Sequence, residues 1–146
     1  MFQGVFGVGI IVLLGATPHG VAVAQSVNQP ARCGLDGFTP NPIEHIVDDV
    51  DAPIHVSQVR GSIRSAGGAW PRDVEVLFEI RGPGEATRIW SARADEQGRF
   101  VIRDVPAGTY CFRAMAVGWQ SVVGRVVVGQ GAPPNQMVSL TLRPGV

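Results

Sequence analysis

The sequence predicts an all-β sandwich. Three observations carry that expectation. Short segments alternate large apolar and polar side chains with period two, the pattern of half-buried strands. The breaks between them hold turn chemistry: Ala66-Gly67-Gly68, Gly82-Pro83-Gly84, Glu96-Gln97-Gly98, Pro106-Ala107-Gly108 and Gly131-Ala132-Pro133-Pro134. No segment of helical length shows a 3.6-residue apolar period. Charged residues make up 16% of the 146-residue chain, hydrophobic ones 45%, and there are 19 glycines, which suits one compact domain and argues against disorder.

In chain order, residues 1–24 read as a secretory signal peptide. An apolar stretch over residues 5–14, broken by Gly7 and Gly9, precedes Ala22-Val23-Ala24, a small-x-small cleavage site before Gln25. The stretch is too short to span a bilayer comfortably, so no membrane insertion is expected after cleavage. Its departure from the usual pattern is the lack of Lys or Arg ahead of the apolar run. Residues 25–54 read as an irregular extension. Pro30, Pro40, Pro42 and Pro53 interrupt it, Asp48-Asp49-Val50-Asp51 forms an acidic cluster, and a short turn is expected over residues 43–47.

Residues 55–144 then form the domain. Seven strands are expected at 55–64, 74–81, 87–94, 99–105, 109–117, 121–128 and 136–143. Alternation assigns their faces. Val74, Val76, Phe78 and Ile80 point one way, with Glu75, Glu79 and Arg81 opposite. Phe100, Ile102, Tyr110, Phe112, Val138, Leu140 and Leu142 point inward, and Trp90 joins the core with Ala92 and Ala94. Burying a Phe or Leu stabilises by about 1.5–3 kcal/mol, so this set makes a sufficient core. Cys111 falls on the outward register, where a covering N-terminal segment could reach it.

Cys33 and Cys111 are the two cysteines. In an oxidising compartment an even count favours a bridge, which would close a loop of about 80 residues and contribute about 4 kcal/mol by chain entropy. The alternative is two free thiols, with Cys111 a small strand residue.

The words from Gly61 to Leu142 resemble the carboxypeptidase regulatory-like domain family. They are Gly61-Ser62-Ile63-Arg64, Val74-Glu75-Val76, Asp95 with Gly98-Arg99-Phe100, Val105-Pro106-Ala107-Gly108-Thr109-Tyr110, Gly118-Trp119 and Val138-Ser139-Leu140-Thr141-Leu142. The resemblance implies a seven-stranded prealbumin-like (transthyretin-like, Greek-key) sandwich, in an appended or free-standing module of secreted proteins with no activity of its own. It marks scaffold turns at Gly98, Pro106, Gly108 and Tyr110. Gly98 and Gly108 permit positive φ, Pro106 fixes φ, and the Tyr110 hydroxyl can tie down a neighbouring loop.

Several chemistries are excluded. Twelve basic and twelve acidic residues balance, leaving no electrostatic footprint for nucleic acid. Every basic residue is Arg, so Schiff-base chemistry, a lysine general base and a Lys–Asn cross-link are ruled out. The His-x-x-Glu pair of a zinc carboxypeptidase is absent: His45 and His55 lead into Ile46-Val47-Asp48 and Val56-Ser57-Gln58. A triad of His55, Ser57 and Asp51 lacks a nucleophile elbow. His45 with Asp48, Asp49 and Asp51 lacks calcium-loop spacing, and its plain reading is a solvated acidic loop. No enzyme, cofactor or metal is expected.

The remaining binding candidates are Trp70 and Trp119, whose indoles could stack on sugar rings if exposed. For Trp119 the resemblance implies a structural alternative, an aromatic that caps the sandwich end. The functional expectation is therefore an exported, periplasmic or extracellular, non-catalytic module with a structural or protein-interaction role. Its partner is an unidentified protein or a glycan, and the loops at 82–86 and 129–135 are where recognition is expected. The alternative is a carbohydrate-binding module using Trp70 and Trp119.

Overall fold

Eight strands, and no helix among the described residues, build the domain. The computed structural model describes residues 32–41, 47–82 and 88–145. The signal-peptide reading, His45 and nearly all of the 82–86 loop lie outside these residues. Strands β1 (Val47–Val56), β2 (Val59–Ser65), β3 (Val76–Arg81), β4 (Ile89–Arg93), β5 (Arg99–Ile102), β6 (Gly108–Ala116), β7 (Ser121–Val128) and β8 (Val138–Leu142) divide into two sheets. The larger has the order β1-β7-β6-β3-β4 and the smaller β5-β2-β8. All pairings are antiparallel except β1 with β7 and β2 with β8.

The core lies between the sheets and follows the alternation read from sequence. Val76, Phe78 and Ile80 of β3, Tyr110 and Phe112 of β6, Phe100 and Ile102 of β5, and Val138, Leu140 and Leu142 of β8 are all buried. Phe78 bridges the layers. Its ring stacks on Phe100 of the opposite sheet at 4.2 Å and on Phe112 of its own at 5.5 Å. Trp90 packs partly buried against the core, edge-on to Tyr110 at 5.6 Å.

The expectation of irregular chain over residues 25–54 is corrected at its C-terminal end. Residues 47–54 belong to β1, a ten-residue strand paired in parallel with β7. The features that suggested a loop are those an edge strand tolerates. Its register shifts between Val50 and Ile54, and Asp51, Ala52 and Pro53 occupy that irregular stretch. Proline and charge at such a position blunt pairing with foreign chains. The expected strand at 55–64 is correspondingly two strands, β1 and β2, separated at Ser57 and Gln58.

Close backbone approach requires glycine at two positions, one in a turn and one within β2. Gly98 has φ +76°, and a Cβ there would lie 2.0 Å from the Ile63 carbonyl oxygen. That contact exists because the Ile63 N–H donates to the Gly98 carbonyl at 2.8 Å, docking the β4–β5 turn on β2. Gly61 allows β2 and β8 to approach, since a Cβ would lie 1.9 Å from the Val138 carbonyl oxygen. Gly108, at φ +158°, also gives its turn a positive φ that L side chains rarely adopt. The Tyr110 hydroxyl ties that turn by donating to the Pro106 carbonyl at 2.6 Å.

Collision and backbone strain can be separated experimentally. Gly98→Ala adds both and is expected to destabilise by at least about 2 kcal/mol. Gly118→Ala, at φ +85° with open space around the new Cβ, should cost only the strain, about 1 kcal/mol. Urea unfolding of the two variants checks the order; equal losses would mean that the Ile63 contact relaxes freely.

Candidate functional site

The outer face of the five-stranded sheet carries a charged pair that a strand surface would ordinarily leave in water. Alternation turns Glu79 of β3 and Arg113 of β6 away from the core, and the register sets them directly opposite. Both are about 1% exposed, and Arg113 Nη2 lies 2.7 Å from Glu79 Oε2. What covers them is residues 33–41, which run as a strap over this face.

The strap supplies the hydrogen bonds that desolvation makes necessary. The Thr39 hydroxyl and N–H both donate to the Glu79 carboxylate, and Arg113 donates to the Thr39 carbonyl. The Phe38 ring, 6% exposed, receives two guanidinium groups, Arg81 and Arg113, each 5.4 Å from its centroid. Arg113 also lies 2.9 Å from the Met115 sulfur. The strap is fastened covalently: Cys33 and Cys111 form a disulfide with Cα atoms 5.5 Å apart. Cys111 and Arg113 are alternate outward residues of β6, so one pleat presents both the covalent and the ionic anchor.

Trp70 and Trp119 come together at 4.9 Å between ring centroids, inclined by 66°. Both are half-buried against the core. The Trp70 indole N–H donates to the Ile63 carbonyl at 3.0 Å, and the Trp119 N–H of the backbone closes the β6–β7 turn on Ala116. The inclined rings offer no shared flat platform. An open groove of about 650 Å³ runs along Trp70, Pro71, Arg72 and Asp73 to Asp95 and Gln97, and Trp119 does not line it.

Asp95 at the end of that groove is a turn-former. Its carboxylate accepts from the backbone N–H of Arg99 at 2.8 Å and of Gln97 at 3.0 Å, and from Arg99 Nε at 3.0 Å. The Arg99 N–H chiefly holds its pKa below the ordinary carboxylate value. A lowered pKa means that this carboxylate supports the fold fully above its ordinary titration range and loses that support as pH falls through the folded value.

The other sequence candidates are dispersed. His55, Ser57 and Asp51 are exposed on β1 and just beyond it, as are Asp49 and, half-buried, Asp48. Among the described residues no three His, Cys, Asp or Glu side chains are grouped to hold a metal. Sequence reasoning did not single out Glu79, Arg113, Phe38 or Thr39. The signal is present in part: alternation turns both Glu79 and Cys111 outward, and a segment reaching Cys111 must cover what stands beside it.

These features define a small sandwich module in which a strap of residues 33–41 covers the β3 and β6 part of the larger sheet. The family model of the carboxypeptidase regulatory-like domain matches residues 58–143, well over half of the chain, and the chain belongs to that family. A search of curated proteins finds no match. The matched span takes in β2 to β8; the strap and all of β1 precede it.

Removing one partner of the buried pair is expected to be costly. Arg113→Met or Glu79→Leu alone should destabilise by about 3–5 kcal/mol, and the double variant by clearly less than the sum. Chemical denaturation of the four proteins closes the cycle; additive losses would show that the two charges are not coupled. Replacing both cysteines by Ser should cost about 4–5 kcal/mol, given the sequence separation of 78 residues. A midpoint unchanged by reduction would contradict this.

Proposed function

We propose that the chain is a non-catalytic, exported module with a structural or protein-interaction role. The observation that carries this reading is the strap. Its disulfide belongs to an oxidising compartment, which agrees with the secretory character of residues 1–24. The buried Glu79–Arg113 pair is engaged by the strap backbone and Thr39, so it serves to hold a segment down. Membership of a regulatory-like domain family supports the same role.

Expression of the full chain, followed by fractionation and maleimide labelling, tests the proposal. The expected result is protein shortened at its N-terminus in the exported fraction, with both thiols unreactive until reduction. Full-length protein retained in the cytosol with two reactive thiols would overturn it.

The groove beside Trp70 favours a second reading, glycan binding, in which Trp70 alone lines the groove and polar Arg72, Asp73 and Gln97 would orient hydroxyls. In this reading Trp70→Ala abolishes binding on a glycan array, whereas Trp119→Ala acts only through stability. No binding by the folded wild-type protein would exclude it.

A further inference from the structure

The smaller sheet turns a basic face outward. Strands β2, β5 and β8 contain no Asp or Glu. Arg60 and Arg64 share the outward pleat of β2, about 13 Å apart along the strand. Arg60 stands opposite Val101 and Ser62 opposite Arg99. Arg99 is paired with Asp95. Among the described residues no carboxylate lies within ion-pair distance of Arg60 or Arg64. The same face exposes Val101 at 51% and Met137 at 48%, on either side of a shallow trough of about 420 Å³.

The chemistry complementary to this face is also in the chain, on the other sheet. Edge strand β1 presents Asp49 and Asp51, followed by Ala52 and Pro53, all exposed. Among the described residues neither aspartate has an arginine within ion-pair distance. The formal charge of the chain is zero, so bulk repulsion does not oppose association of copies. Both surfaces are uncompensated in the single copy, and each mixes charge of one sign with small apolar patches.

We infer that the Arg60 and Arg64 face of the three-stranded sheet docks the Asp49 and Asp51 edge of β1 from a second copy. The two surfaces differ, so the contact is heterologous: each copy in a pair keeps one of each surface free, and growth continues unless a ring closes. Exposed ion pairs are individually weak and screened, so the assembly is weak and salt-sensitive. This inference rests on the structural-module reading and names its partner; mass in solution tests it independently of export and thiol state.

Sedimentation velocity of the oxidised protein, as the cell processes it, is the test. In low salt the average mass should rise with concentration, and it should return to that of one copy at about 0.5 M salt. The pair Arg60→Glu and Arg64→Glu, and separately Asp49→Arg and Asp51→Arg, should each raise the apparent dissociation constant about tenfold or more. Mixing the two charge-reversed proteins should restore association, which a folding defect in either could not do. A wild-type protein that stays a monomer throughout overturns the inference. Retention of that monomer on heparin, lost on Arg60→Glu with Arg64→Glu, would reassign the face to an anionic polymer. Association unchanged in both charge-reversed proteins would also overturn it.

Discussion

The arrangement of this domain depends on one constraint: a carboxylate and a guanidinium stand on the outer pleat of two central strands, and they must be either solvated or covered. Glu79 and Arg113 are opposite each other in the β3–β6 ladder, on the fourth and third strands counted from the β1 edge of the sheet. Covering them with an apolar segment would leave the carboxylate's remaining lone pairs and the guanidinium's remaining protons without partners. The desolvation cost would then exceed what their mutual attraction returns. Thr39 resolves this with three groups at once, its N–H, hydroxyl and carbonyl. Phe38 excludes water while offering its ring to two cations. The disulfide from Cys33 keeps this short, otherwise weakly held segment in place. Ion pair and disulfide therefore depend on each other: the bridge confines the strap, and the strap makes the buried charges tolerable.

Much of the sandwich was legible because its code is local. Period-two alternation places Phe78, Phe100, Phe112 and Leu140 without reference to anything distant, and the structure buries each of them. The turn at Gly98 was legible for the same reason, since its acceptor Asp95 lies three residues back. The strap was legible only as a consequence of Cys111 facing outward. Thr39 and Phe38 carry no local signal; their roles exist only once a contact across 40 and 74 residues forms. The Trp70–Trp119 pairing is long-range in the same way. Single-residue reasoning could offer sugar stacking or end-capping, while the indole N–H bond to Ile63 requires knowing which carbonyl lies beneath it.

β1 shows the opposite failure, where local signals pointed the wrong way. Three aspartates and Pro53 in eight residues describe a loop by propensity, yet the segment is a strand, because propensity scales reward half-buried central strands. An edge strand has one ladder partner. β1 spends its pairing on β7, and its irregular stretch at Asp51, Ala52 and Pro53 falls where the register shifts. Gly124 of β7 makes room for it: a Cβ there would lie 3.0 Å from the Val50 Cβ. The resemblance to a seven-stranded family could not have supplied this strand either, since the matched span begins at residue 58.

The two additions outside the matched span have opposite effects on the larger sheet. The strap covers the β3 and β6 part of its outer face, while β1 extends its edge and ends it in negative charge and proline. The smaller sheet receives neither treatment. No segment among the described residues covers its outer pleat as residues 33–41 cover the centre of the other, and its exposed Val101 and Met137 stand beside arginines rather than under a cover. Where a small domain covers the centre of one face with a covalent strap and leaves the other open with charge of a single sign, the open face is the one whose surface composition is not set by packing. In the proposed reading, that open face is the one that docks a second copy.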